Sequence, residues 1–289
     1  MNKSIHFSKA SDLDTLREIW KQVFRSDDGD LFFEHFFTPE RCIIIENSGK
    51  TSAMGFLLPG GDFVTGNTSY PCGMIYALAT LPEYRSKGFA SEIVHKLIEE
   101  GYKSGYKAII LCPSDDALFD YYHQRTVFRE NFYVCETKYN AFGTCEENFT
   151  ITDASAHEYH DIRESLLADI PHIKMDISAI EYQRKLSNFT GGKLIKLDID
   201  GHTSCAATEI CEDGSVLIKE LLTPTGYNDA ALAALGMSFP SHEYIIRTPA
   251  KTDSDLKAHM RRFGMIAAAD NMIETAASNI APWYGFAFD

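Results

Sequence analysis

The chain has 289 residues, more than a typical single domain, and its length predicts two domains of about 140 residues each. Its 45% apolar and 12% aromatic residues can bury a sizeable core, which excludes an intrinsically disordered chain. The formal net charge of −14 repels phosphate backbones, so it argues against a nucleic-acid partner and favours weak attraction of cationic small molecules.

Several classes of protein are excluded by the absence of their sequence patterns. The apolar runs are too short to span a membrane, and the N-terminal residues lack the apolar core of a signal peptide, so we expect a cytoplasmic protein with no membrane partner. The seven cysteines are scattered without a C-x-x-C pair, which predicts reduced thiols. His157, His160 and Asp161 share a helical face, but nothing is spaced to complete their coordination, so we predict no metal.

Helical and extended patterns alternate through the first half of the chain. Apolar spacing predicts a first helix over residues 12–25, begun by a capping box of Ser11 and Asp14. The remaining predicted elements are strands at 42–45, 53–58 and 74–80, a helix from 88 to between 101 and 105, a strand at 108–112, a helix capped by Ser114 and ending near 125, and extended chain over 127–138.

The second half partly repeats the first. A polar segment at 140–150 is the predicted linker, so we place domains at 1–145 and 146–289. Two blocks recur about 140 residues later: 218–223 before Pro224 resembles 75–80 before Pro82, and 245–250 resembles 109–114. We interpret the second half as a degenerate copy of the first.

The loop Arg85–Ala90 has the composition of a diphosphate cradle. It lies between a predicted strand and a predicted helix, where free helical amides and the helix dipole attract anions. Gly88 permits close approach of the backbone, and Arg85 and Lys87 supply positive charge. The alternative is a surface turn with two solvated charges.

The surroundings of this loop point to a family. Residues 76–91 closely resemble the signature of the GNAT superfamily of acetyltransferases: an apolar strand, Pro82, the aromatic Tyr84, then Arg-x-x-Gly-x-Ala opening a helix. The resemblance extends over residues 4–138. It implies an α/β (α+β) fold with a mixed twisted sheet flanked by helices, in tandem with a second, degenerate GNAT-like domain. We expect this second domain to shape the substrate cleft or to stabilise the first.

The resemblance also implies a donor and its binding residues. Acetyl-CoA would be the co-substrate, and its acetyl group would pass directly to a primary amine of a small molecule. Backbone groups would hold the pantetheine arm like an added strand, at Leu78, Ala79 and Thr80. The pyrophosphate would bind the loop and one hydroxyl beyond it, at Arg85, Ser86, Lys87, Gly88, Phe89, Ala90 and Ser91.

Tyr122 is the candidate catalytic residue. It falls where many family members carry a tyrosine that protonates the departing sulfur, which is reasonable for a phenol of pKa about 10 and a thiol of pKa about 8.5. The alternative is a core aromatic, and the spacing from Tyr122 to Phe128 is one residue longer than in the family and lacks its glycine. No general base is identified, since Glu83 more simply caps its turn.

The second half lacks a comparable cradle. Residues 225–230 contain no basic side chain, so we predict one CoA site per chain. The ending Trp283–Asp289 resembles that of multi-domain GNAT proteins of the enhanced-intracellular-survival type, which would bring the carboxylate of Asp289 into the site. The alternative is an apolar terminus docked on a domain.

The sequence is compatible with three functions. The first is an acetyl-CoA-dependent N-acetyltransferase acting on a small amine, with a cationic amine favoured. The second is a catalytically inactive acyl-CoA sensor or scaffold, and the third is aminoacyl transfer from tRNA, which the net charge of −14 and the intact loop oppose. We expect acceptor specificity in loops 26–40 and 59–72; the oligomeric state, a homo-oligomer included, stays open.

Overall fold

The structure is a computed structural model that describes residues 3–249, 260–268 and 281–288. These residues form two compact units. The first comprises residues 3–62, 70–131 and 264–268, and the second comprises residues 63–69, 132–249, 260–263 and 281–288. The predicted division at 145/146 stays a prediction, because compactness does not test whether residues 1–145 fold independently.

Strands and helices alternate through both units. The described strands are β1 (Lys3–Phe7), β2 (Cys42–Asn47), β3 (Lys50–Thr65), β4 (Thr68–Thr80), β5 (Ala108–Leu111), β6 (Arg129–Tyr139), β7 (Phe149–Asp153), β8 (His172–Lys174), β9 (Leu194–Ile199), β10 (His202–Ile210), β11 (Val216–Leu222), β12 (Tyr244–Thr248) and β13 (Met260–Ala268). The described α-helices are α1 (Leu13–Val23), α2 (Gly29–Phe36), α3 (Phe89–Lys103), α4 (Asp116–Arg125), α5 (Ala156–Leu166), α6 (Ile177–Phe189) and α7 (Asn228–Ser238).

The first unit contains a mixed sheet with the strand order β1-β2-β3-β4-β5-β13. The β1–β2, β2–β3 and β5–β13 pairs are antiparallel, whereas β4 and β5 are parallel and joined through α3. A parallel pair needs such a crossover, since a tight turn can only join antiparallel strands. The predicted mixed sheet flanked by helices is therefore confirmed.

Helices cover both faces of this sheet. On one face, Ile93 and Leu97 of α3 pack in a buried cluster with strand residues such as Ile43. On the other face, Phe32 of α2 lies 4.9 Å from Phe56 between ring centroids. Successive strand residues point to opposite faces, so the sheet forms a central layer with helices packed on both of its faces. The ends of the parallel strands β4 and β5 therefore lie between the two layers of helices.

The second unit has the strand order β6-β12-β11-β10-β9-β7. Its β11 and β12 are parallel and joined through α7, so the unit contains a strand, helix and parallel strand in the same order as β4, α3 and β5. This shared order supports the interpretation of the second half as a degenerate copy, which stays a prediction.

Most predicted elements of the first half are confirmed, but the local predictions at Ser11, 26–40 and 59–72 are wrong. Ser11 does not start α1: it lies in a 3-10 turn in which the Lys9 N–H donates to the Asp12 carboxylate at 2.7 Å. Residues 26–40 are not a loop, because apolar side chains of α2 pack against α1. Residues 59–72 form the end of β3 and the start of β4, joined at Gly66 with φ +54°.

Two features bear on the protein class. None of the described helices is long and apolar enough to cross a membrane. None of the seven cysteines, all of which lie in the described residues, forms a disulfide bond.

Candidate active site

A left-handed residue near the end of β4 turns the strand toward α3. Ala77 has φ +49°, a region that non-glycine residues seldom occupy. Tyr76 packs on the α2 side, 5.2 Å from Phe32 between ring centroids, whereas Leu78 packs against the cluster that contains Ile93. Residues two apart in a regular strand share one face, so Ala77 acts as a bulge that redirects the strand end.

The last residues of β4 extend beyond the part of the strand that pairs with its parallel neighbour, β5. The pairing of β4 with β5 covers Cys72–Met74, while β4 continues to Thr80. Backbone groups of the last strand residues therefore face an opening on the β5 side. The hydroxyl of Thr80 is buried there without a hydrogen-bond partner among the described residues.

The turn from β4 into α3 leaves the first amides of the helix uncapped. A 3-10 turn at Pro82–Tyr84 leads to Ser86 and Gly88, which have φ +62° and +81°. Gly88 is the N-cap residue of α3, and no side chain of the described residues accepts a hydrogen bond from this helix end. The free N–H groups and the positive end of the helix dipole are thus available to an anion.

Two basic side chains on this turn are held differently. The Arg85 Nε donates to the carbonyl of Thr80 at 3.2 Å, which keeps the guanidinium beside the end of β4. The Lys87 Nζ lies 4.9 Å from the ring centroid of Tyr84, and that ring stacks on Phe89 at 6.2 Å. Arg85 therefore borders the opening, whereas Lys87 rests on the outer aromatic stack.

Helix α4 supplies the opposite wall. Its N-cap is Asp115, whose carboxylate accepts from the Leu118 N–H at 3.0 Å, so the prediction that Ser114 caps this helix is wrong. Tyr121 lies within hydrogen-bonding distance of α3, with 2.8 Å between its hydroxyl and the Ser91 Oγ. Tyr122, by contrast, packs into the core with its ring 6.2 Å from that of Phe128.

These elements enclose a pocket of about 790 Å³ within the first unit. Nine predicted site residues line it: Leu78, Thr80, Arg85, Ser86, Gly88, Phe89, Ala90, Ser91 and Tyr122. Two others do not. Ala79 is buried within the sheet, and Lys87 stays outside the lining. Their roles in binding and catalysis stay predictions.

Sequence reasoning missed half of the lining. The further residues are Val23, Phe24, Tyr84, Ser114, Asp115, Ala117, Leu118, Tyr121 and Arg125. Tyr84 and Tyr121 carry a usable signal, since the first belongs to the family signature and the second precedes Tyr122. Val23 and Phe24 at the end of α1 carry none, because their place in the lining depends on packing between distant segments.

The environment of Tyr122 changes its acidity. The side chain is 7% exposed, and burial, followed by the nearby Tyr121 and Asp115, raises the pKa of the Tyr122 phenol well above its usual value. Desolvation penalises the phenolate, so the phenol keeps its proton at neutral and moderately alkaline pH. Tyr122 can therefore donate a hydrogen bond at the inner wall of the pocket.

The remaining predicted features lie elsewhere or outside the described residues. Asp289 is outside them, and the preceding Trp283–Phe288 segment is buried within the second unit. In that unit the turn before α7 contains Gly226 with φ +91°, but Tyr227 takes the N-cap position and no basic residue lies nearby in sequence. Among the described residues, no group of His, Cys, Asp or Glu side chains is placed to hold a metal ion.

A protein-family model matches the first part of the chain. The family model of the acetyltransferase (GNAT) domain matches residues 4–125, which include every residue that lines the pocket. No curated protein sequence matches the chain.

Solved structures share the fold across nearly the whole chain. A GCN5-related N-acetyltransferase from Anabaena variabilis has a TM-score of 0.70 at 13% identity, covering 93% of this chain and 73% of its own. One from Kribbella flavida gives 0.65 at 14%, covering 93% and 71%, and Eis1 from Mycobacterium abscessus gives 0.66 at 10%, covering 95% and 76%. At such identities the likeness concerns the fold alone. Residues 4–125 therefore match the acetyltransferase (GNAT) domain, which is an acyltransferase domain.

Proposed function

We propose that this chain transfers an acetyl group from acetyl-CoA directly to the primary amine of a small molecule. The observation that carries the proposal is the pocket of about 790 Å³ in which the uncapped end of α3, Arg85, the released end of β4 and the buried Tyr122 meet. Its volume is typical of a site for a small molecule or cofactor. No other pocket is needed for the donor.

Each part of the donor has a matching part of this pocket. The free amides that follow Gly88, together with the Arg85 guanidinium, suit the diphosphate, because two negative charges gain from both the helix dipole and the cation. The strand end from Leu78 to Thr80 suits the amides of the pantetheine arm, which can pair with it as an added strand. Tyr122 then lies on the wall formed by α4, where it would protonate the departing thiolate.

The acceptor must reach the thioester as a neutral amine. An alkylammonium of pKa about 10.4 is about 3.4 units above pH 7, so its deprotonation costs roughly 4.6 kcal/mol. Direct transfer needs no covalent enzyme intermediate, and positioning the two reactants can supply much of the rate. The net charge of −14 favours a cationic amine, since a negative field raises its local concentration.

Thiol release tests the function directly. The full chain is mixed with acetyl-CoA and a panel of small amines, and free CoA is measured with a thiol reagent while calorimetry measures CoA binding. We expect binding together with amine-dependent thiol release. Binding without turnover on any amine would favour the inactive acyl-CoA sensor, and no binding at all would end both proposals.

Substitution of Gly88 by alanine should weaken CoA binding about tenfold, the value of one charge-assisted hydrogen bond. A Cβ at this position meets no described protein atom within 4 Å, so it would occupy the open space through which phosphate oxygens approach the backbone. The φ of +81° adds strain of about 1 kcal/mol to the folded state.

Gly105→Ala is the matched control for this variant. Gly105 has φ +94°, is equally open, and follows the other end of α3 outside the pocket lining. It should lower the melting temperature similarly and leave the dissociation constant for CoA unchanged. Equal losses of CoA affinity in the two variants would show that backbone strain, and not the cradle, causes the effect.

The alkaline limb of the pH profile should reflect the burial of Tyr122. A general acid acts only while it is protonated. Because the pKa of the Tyr122 phenol is raised, deprotonation of this phenol should lower kcat only above about pH 10. We therefore expect kcat to rise as the amine deprotonates and to show no decrease below about pH 10. A fall in kcat with a midpoint below that pH would assign the acid to a different group.

A further inference from the structure

We propose that Tyr121 is a positioning residue that orients the Ser91 hydroxyl toward the diphosphate of CoA. This inference rests on the proposed function, since it concerns the same pocket and the same donor. It assigns different roles to two adjacent tyrosines of α4. Tyr121 would act on binding, through a serine of α3, whereas Tyr122 would act on the chemical step.

The geometry links the two helices across the pocket. Ser91 belongs to the first turn of α3, the turn whose amides have no side-chain cap, and its Oγ lies 2.8 Å from the Tyr121 hydroxyl. Both residues line the pocket, and both are partly buried. The serine hydroxyl therefore stands beside the free amides and is held by a phenol from the opposite wall.

The direction of this hydrogen bond determines what Ser91 can do for an anion. Each hydroxyl has one proton to donate, and a phenol is more acidic than an aliphatic alcohol. When Tyr121 donates to Ser91, the serine proton stays available for a phosphate oxygen. An anion in the pocket selects this direction, because the opposite one would turn a serine lone pair toward negative charge. The result is a chain from Tyr121 through Ser91 to the phosphate, in which each bond polarises the next.

The chain predicts a graded loss of affinity. Ser91→Ala removes the direct bond to the phosphate and should weaken CoA binding about tenfold, whereas Tyr121→Phe leaves the serine in place but unoriented and should weaken it about threefold. The double variant should bind as Ser91→Ala does, since Tyr121 has nothing left to orient. Binding of pantetheine, which carries the same arm without the diphosphate, should stay unchanged in all three variants.

Calorimetry for CoA and NMR titration for pantetheine measure these affinities on the full chain. Tyr102→Phe is the matched control: its hydroxyl donates to the Ala267 carbonyl at 3.1 Å within the same unit, away from the pocket lining, so it should not change either affinity. Melting temperatures verify that each variant is folded.

Three results would overturn the inference. They are an unchanged CoA affinity in Tyr121→Phe, a parallel loss of pantetheine affinity, and a double variant whose loss is the sum of the two single losses. A parallel loss for both ligands would mean that the hydrogen bond only braces α3 against α4. Failure of the unaltered chain to bind CoA would instead end the proposed function itself, so the two failures are distinguishable.

Discussion

Substitution of Tyr122 by phenylalanine should lower kcat about a hundredfold while the dissociation constant for CoA changes by less than about twofold, because general acid catalysis typically contributes this much or more. The change removes one oxygen and keeps the ring that packs against Phe128 in the buried cluster. The ground-state donor retains its contacts with the α3 amides and β4. The developing thiolate alone loses its proton donor.

The comparison with two neighbouring tyrosines makes this result interpretable. Tyr102→Phe loses a phenol hydroxyl from the same unit without touching the pocket, so it should keep full kcat. Tyr121→Phe should raise KM for acetyl-CoA and leave kcat almost unchanged. If Tyr121→Phe lowers kcat and Tyr122→Phe does not, the acid is Tyr121. If both keep full kcat, neither tyrosine is the acid.

The part of this site that local sequence encodes is the cradle. A basic residue, a glycine with positive φ and a small residue in the first helical turn all act within one loop, and Arg85, Gly88 and Ala90 line the pocket in that order. The neighbouring strands and helices were predictable for the same reason, since apolar periodicity is a property of contiguous residues.

Features that depend on distant segments were not predictable. Ala77 has no residue type that marks a left-handed conformation, yet it turns the end of β4 toward the pocket. The hydrogen bond between Ser91 and Tyr121 joins α3 and α4, and the apolar pattern of each helix does not indicate this contact. Met265 of β13 pairs with Leu111 of β5 in the first unit, although more than half of the chain separates them in sequence. Such contacts are decided by packing, to which a single sequence gives little access.

The second unit contains a feature of the same kind, a fully buried ion pair. Arg163 of α5 and Glu220 of β11 are both inaccessible to solvent, with the Arg163 Nε 3.1 Å from each carboxylate oxygen. The carboxylate also accepts from the Tyr159 hydroxyl at 2.9 Å and from the Trp283 indole N–H. The guanidinium donates in addition to the Ile173 carbonyl at 2.8 Å. The pair therefore joins the helix, the strand and the Trp283 segment.

Glu220→Ala should lower the free energy of unfolding by about 3 kcal/mol, because it leaves the fully buried Arg163 charge with Glu164, at 3.2 Å and partly exposed, as its remaining carboxylate partner among the described residues. It also strands the hydrogen-bond donors of Tyr159 and Trp283. A loss of this size is a large fraction of the stability of many domains, so the second unit should unfold at much lower urea concentration. Urea unfolding followed by circular dichroism measures the effect.

A surface ion pair of the same unit gives the reference for this measurement. Lys193 and Asp153 lie 2.8 Å apart but are exposed, so Asp153→Ala should cost less than about 1 kcal/mol. Glu220→Gln should fall between the two variants, since the amide oxygen still accepts hydrogen bonds while the countercharge is gone. A cost below about 1 kcal/mol for Glu220→Ala would mean that water reaches Arg163 once the carboxylate is removed. The interior of the second unit would then accommodate the charged Arg163 guanidinium without the Glu220 carboxylate.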